Sequence, residues 1–138
     1  MGGFASIIPG QSIGNFHLHD TEQEIISKME GTYKKEERCS SYVYRSDSIM
    51  VWVDKKTKEA YQIAAGKGFH GYFKDGITIG SKLCDLKRMG NVFEENEIIP
   101  VIMIEGIAGI CFEMEDDSSQ DDEDDWDEKR IAWISVFE

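Results

Sequence analysis

Proline is scarce in this 138-residue chain, with only two, which excludes a proline-rich spacer. No run approaches the roughly eighteen apolar residues that a membrane-spanning helix needs. The opening residues Met1 to Ile8 (MGGFASII) lack the basic start and long apolar stretch of a secretory leader. Met1-Gly2 with Ser6 fits the short N-myristoylation pattern, but no second anchor accompanies it. Cysteine is sparse: Cys39, Cys84 and Cys111 are odd in number, far apart and form no CxxC pair. Reduced thiols in a cytoplasmic protein are the expectation. Basic residues are outnumbered, fifteen against twenty-seven acidic ones, for a net charge of -12. That argues against the basic face of a nucleic-acid binder and against adsorption to an anionic membrane.

What is present suffices for a core. Apolar residues make up 41% and aromatics 11%, which argues against wholesale disorder. The length suits one domain.

The acidity is local. Residues 113–128, EMEDDSSQDDEDDWDE, hold eleven acidic residues in sixteen and no basic one. Removing those eleven leaves sixteen acids against fifteen bases, a net of about -1 for the body. A like-charged block repels itself and resists burial, so a solvated loop is expected. A solubilising role is the plain reading of such a run. Two details favour a binding role: Trp126 sits inside the acids, and a strong strand pattern, Ile131 to Phe137, follows them.

An internal repeat organises the chain. Gly10-Gln11-Ser12-Ile13-Gly14 and Gly76-Ile77-Thr78-Ile79-Gly80 share the form G-x-[ST]-I-G. Each precedes a short helical pattern. The first runs from Asp20 to Glu30, with Asp20 or Thr21 as cap, Glu24 completing a capping box, and Ile25, Ile26 and Met29 as its apolar stripe. The second runs from Ser81, the expected cap, to Met89, with Leu83, Leu86 and Met89 at turn spacing. Three strand patterns follow each helix: Ser41–Arg45, Ile49–Val53 and Ala60–Ala64, then Ile98–Ile104, Ile107–Met114 and Ile131–Phe137. Residues 67–75 form a glycine-rich connector. The expected fold is α+β: two αβββ repeats, about 9–66 and 73–138, in a single domain 1–138. They would form a mostly antiparallel sheet with short helices on one face and an acidic loop at 113–128.

The paired G-x-[ST]-I-G starts, capped helices and strand meanders resemble the tandem αβββ architecture of beta-lactamase-inhibitor-like proteins. The same unit occurs singly in small outer-membrane assembly lipoproteins, but no lipobox cysteine stands near Met1. Phe73 to Gly80 with Leu83-Cys84-Asp85-Leu86 also looks like small bacterial immunity proteins, including antitoxins of LXG-type polymorphic toxins. That resemblance implies stoichiometric binding of a cognate toxin domain, without chemistry and without cofactors.

The residues themselves give no catalytic constellation. His17 and His19 form an H-x-H that needs a third ligand, such as His70, before a metal is implied; two polar strand residues is the simpler reading. Cys84 and Cys111 read as core thiols. The acidic run lacks the glycine and spaced glutamate of an EF-hand loop. Gly66-Lys67-Gly68 is not followed by the serine or threonine of a phosphate loop. The expected function is therefore non-enzymatic: an immunity protein that occludes a basic nuclease toxin. Its expected contact residues are Asp116, Asp117, Asp121, Asp122, Glu123, Asp124, Asp125, Trp126, Asp127 and Glu128. The partner is a protein, neither nucleic acid nor membrane. The alternative is an intracellular assembly or regulatory module that binds through its sheet face, with aromatics drawn from Tyr42, Tyr44, Trp52, Tyr61 and Trp133.

Overall fold

The computed structural model describes residues 5–29, 33–74, 76–94, 101–115 and 129–138. The fold is α+β, with two short helices among the described residues and mostly antiparallel sheet. In chain order the elements are β1 (Ala5–Ile8), β2 (Ser12–Ile13), β3 (Phe16–His17), α1 (Glu22–Lys28), β4 (Lys34–Glu37), β5 (Ser41–Arg45), β6 (Ile49–Asp54) and β7 (Ala60–Ala65). They continue with β8 (Gly71–Tyr72), α2 (Leu83–Lys87), β9 (Val92–Glu94), β10 (Val101–Ile104), β11 (Ile107–Met114) and β12 (Ile131–Phe137).

Eight strands form one sheet in the order β4-β5-β6-β7-β12-β11-β10-β9, and four short segments form another, β3-β2-β1-β8. Among the described residues, four strands of the large sheet follow each helix where the sequence pattern suggested three. The additions are the outermost strands. β4 is Lys-Lys-Glu-Glu, exposed throughout, so it carries no apolar alternation to read. Charge on an outer strand also discourages pairing with another chain. Of the expected strand at 98–104, the described part is Val101–Ile104.

Local chemistry accounts for most boundaries. Thr21 caps α1: its hydroxyl accepts from the Glu24 N–H at 3.3 Å, and the Glu24 carboxylate accepts from the Thr21 N–H at 3.2 Å. The second helix differs from expectation. Lys82 occupies the cap position, and its N–H donates to the Asp85 carboxylate at 2.9 Å. Ser81 instead accepts from the Thr78 N–H at 3.0 Å, holding the turn upstream. At the β6–β7 turn the Asp54 carboxylate accepts from the Lys56 and Thr57 N–H groups at 2.7 and 3.2 Å, and Lys58 takes a left-handed φ of 61°.

The main core lies on one face of the large sheet. Val51, Ile63, Ile110, Phe112, Ile134 and Val136 are fully buried there, and Ile25 of α1 with Leu83 and Leu86 of α2 join the same cluster. Phe73 packs against Phe112, ring centroids 6.0 Å apart. The other face carries a small cluster of Val43, Met50 and Ala64, flanked by the half-buried Trp52 and Trp133. The two sheets touch at Gly109 of β11, whose carbonyl accepts from the Gly10 N–H at 3.0 Å, and β2 and β3 also lie against β7.

Candidate functional site

The residues on either side of the acidic run are fixed to the sheet. β11 and β12 pair from Ile110↔Val136 to Met114↔Ile131, with a register shift between Glu113 and Met114. The Glu115 N–H donates to the Arg130 carbonyl at 2.8 Å, one step beyond the ladder. On the other side the Leu83 N–H donates to the Lys129 carbonyl at 2.9 Å, so the return strand is tied to the first turn of α2. The Ile131 N–H donates to the Ser81 carbonyl at 2.8 Å, the Gly80 N–H to the Ile131 carbonyl at 2.9 Å, and the Arg130 guanidinium to the Gly80 carbonyl at 3.0 Å. The second G-x-[ST]-I-G motif thus buttresses the base of the hairpin. The expected contact residues Asp116, Asp117 and Asp121 to Glu128 lie outside the described residues.

Beside this stem is a cavity of about 790 Å³, lined by the connector residues Phe69, His70 and Tyr72, by Ile79, and by Glu115 and Trp133 at the stem. The Trp133 indole lies across Gly66: a Cβ there would stand 2.6 Å from the ring. The same residue borders a smaller groove of about 300 Å³ on the outer face, shared with Met50, Trp52, Cys111 and Glu113. Trp133 therefore separates two concavities. In sequence, residues 67–75 read as a glycine-rich connector with His70 as a candidate third metal ligand; the signal of a cavity wall is Phe69-His70 set between glycines and followed by Tyr72.

The histidines do not converge. His17 is exposed, its Nδ1 3.1 Å from the Asn15 carbonyl. His19 lies beyond β3 in a left-handed turn (φ 73°), with its ring between Glu59 at 3.0 Å and Glu138 at 2.5 Å. Those two carboxylates, Glu138 foremost, raise its pKa above 6.5. His70 lines the large cavity. Among the described residues no group of three or more His, Cys, Asp or Glu side chains is arranged to hold a metal. Cys111 sits half-buried on β11; burial pushes its thiol pKa up to about 11, with the Ser135 hydrogen bond opposing the shift. A thiol so rarely ionised is a poor nucleophile.

A second charged cluster lies at the other end of the strands. The ammonium groups of Lys35, Lys55 and Lys58 stand 4.2, 5.2 and 5.2 Å from the centroid of the Tyr42 ring. Carboxylates neutralise much of it: Lys55 pairs with Glu37 at 2.9 Å and Lys35 with Glu22 at 3.6 Å. The buried Tyr44 hydroxyl donates to Glu22 at 2.5 Å, and this bond, with Lys35 and Lys58 nearby, lowers the Glu22 pKa below 4.5.

No protein-family model matches the chain, and no curated protein matches it. Among solved structures, the uncharacterized protein yfeY from Escherichia coli is similar in fold. The TM-score is 0.59 at 14% identity, over 98% of this chain and 99% of that one. At that identity the likeness carries the fold alone.

Proposed function

We propose that this is a non-enzymatic binding protein, an immunity protein that blocks a basic nuclease toxin domain by offering it the acidic segment. The observation that carries the reading is the anchoring of both flanks. Nine acidic residues lie in sequence between Glu115 and Lys129, and those flanks belong to a hairpin stem closed by the Glu115–Arg130 backbone bond and tied to α2 through Lys129. A concentrated anionic charge on a fixed base speeds encounter with a cationic groove and occludes the phosphate site there. Trp126 supplies an apolar anchor among the charges. The setting we propose is the bacterial cytoplasm; no helix among the described residues is long and apolar enough to cross a membrane.

We further propose that the chain is one domain of two αβ units. The strand order supports this: β4 to β7 follow α1, β9 to β12 follow α2, and the halves adjoin along β7 and β12. Each unit also follows a G-x-[ST]-I-G motif.

The test is binding to a candidate basic nuclease toxin domain, measured by calorimetry at low and high salt. The expected result is a loss of about tenfold or more between 50 and 300 mM salt. A similar loss should follow when Asp121 to Asp125 become Asn and Ser. Binding that ignores both changes overturns the acidic-segment mechanism. The second reading, an assembly or regulatory module, then takes its place, because the groove bordered by Trp52 and Trp133 leaves the outer sheet face open to a partner.

A further inference from the structure

The cavity beside the hairpin stem combines aromatic rings with a carboxylate. Phe69, Tyr72 and Trp133 line it together with Glu115, and the Tyr72 side chain is 44% exposed. Aromatic faces are electron-rich, and a carboxylate next to them completes the chemistry that recognises a guanidinium. Glu115, the carboxylate among the described lining residues, is exposed. Lys67, the opposing charge on the lining, is exposed.

We propose that this cavity receives an arginine side chain of the partner, its guanidinium on the aromatic faces and paired with Glu115, its aliphatic stem against Ile79. The proposal rests on the reading of the chain as a binder of a basic protein and names the point where that partner is recognised. The volume holds the side chain together with its neighbours in the partner chain.

The experiment is an amide and indole NMR titration of the full chain with acetyl-Gly-Arg-Gly amide, and with the citrulline counterpart, which keeps the shape without the charge. Arginine should shift Gly68, Thr78, Gly80 and the Trp133 indole, and citrulline should shift them far less. Tyr72→Ala and Glu115→Gln should each weaken binding by about two- to fivefold, and Lys67→Gln should strengthen it by a similar factor. Equal binding of both peptides, or reversed signs at Glu115 and Lys67, overturns the proposal. Reversed signs mark the cavity as an anion site. Repeating the titration with Asp121 to Asp125 neutralised separates the two claims. Shifts that persist there support the arginine site even if toxin binding proves insensitive to the segment's charge. Salt-sensitive toxin binding with a cavity blind to arginine supports the segment and overturns the site.

Discussion

Gly109 tests the packing argument most directly. It lies inside β11 with φ +83°, and a Cβ built on it would stand 2.6 and 2.7 Å from the backbone N and Cα of Gly10 and 2.9 Å from the Phe137 carbonyl oxygen. None of those atoms belongs to a side chain able to swing aside, and the Gly10–Gly109 hydrogen bond holds the two backbones at 3.0 Å. A Gly109→Ala chain must accept left-handed strain of roughly 1–2 kcal/mol and a steric cost of roughly 1–3 kcal/mol, together about 2–5 kcal/mol. Gly106 supplies the control. Its φ is +88° and nothing lies within 4 Å of the point where a Cβ would stand, so Gly106→Ala bears the strain alone, about 1–2 kcal/mol. Urea unfolding of both variants followed by circular dichroism gives the comparison, and the difference between them isolates the contact between the two sheets. Equal destabilisation by the two substitutions would refute the idea that the small sheet is seated on Gly109.

Further outcomes concern titration and reactivity. Tyr44→Phe removes a bond to a half-buried carboxylate and should cost about 1–2 kcal/mol at neutral pH by chemical denaturation. Because the folded Glu22 pKa is lowered, that contribution is complete above about pH 4.5 and fades as pH falls through the folded value; a difference that stays constant into strong acid contradicts the assignment. His19 has a raised folded pKa, so its contribution is complete below pH 6.5 and disappears as pH rises through the folded value. Proton NMR titration should show that elevation falling back toward 6.5 in Glu138→Gln, and an unchanged curve counts against the pairing. A thiol with a pKa near 11 is ionised in only about one molecule per thousand at pH 8, so a disulfide reagent should modify the exposed Cys39 well before Cys111. Comparable rates would contradict the burial of Cys111.

The elements that were legible in the sequence are those whose signals are local and apolar. β5, β6, β7, β11 and β12 alternate or run apolar, and the Thr21–Glu24 capping box marks α1. β4 escaped because its four residues are charged, and pairing with β5 alone makes it a strand. The two-residue strands β2, β3 and β8 are too short to show a period of their own; β8 pairs in parallel with the distant β1, Ala5↔Gly71. Ser81 has the residue type of a cap, but its hydroxyl accepts from the Thr78 N–H instead. Of the aromatics offered for a sheet-face contact, Tyr44 points into the core while Trp52 and Trp133 flank the outer face; β6 alternates simply, whereas in β12 the register shift opposite Glu113 and Met114 leaves Ile131 and Ile134 both facing the core around Trp133. The cavity beside the stem was illegible because its walls come from the connector, the turn before α2 and β12, which only the folded chain brings together.

The position of β12 bears on how the molecule is made. It is the last strand in chain order, yet it lies in the interior of the large sheet, hydrogen-bonded to β7 on one side and β11 on the other. While a ribosome still holds residues 131–137, both neighbours have naked edges and the sheet is two separate pieces. Joining them brings Gln62 against Phe137, 75 residues apart in sequence, so the large sheet forms through a long-range closure rather than strand by strand.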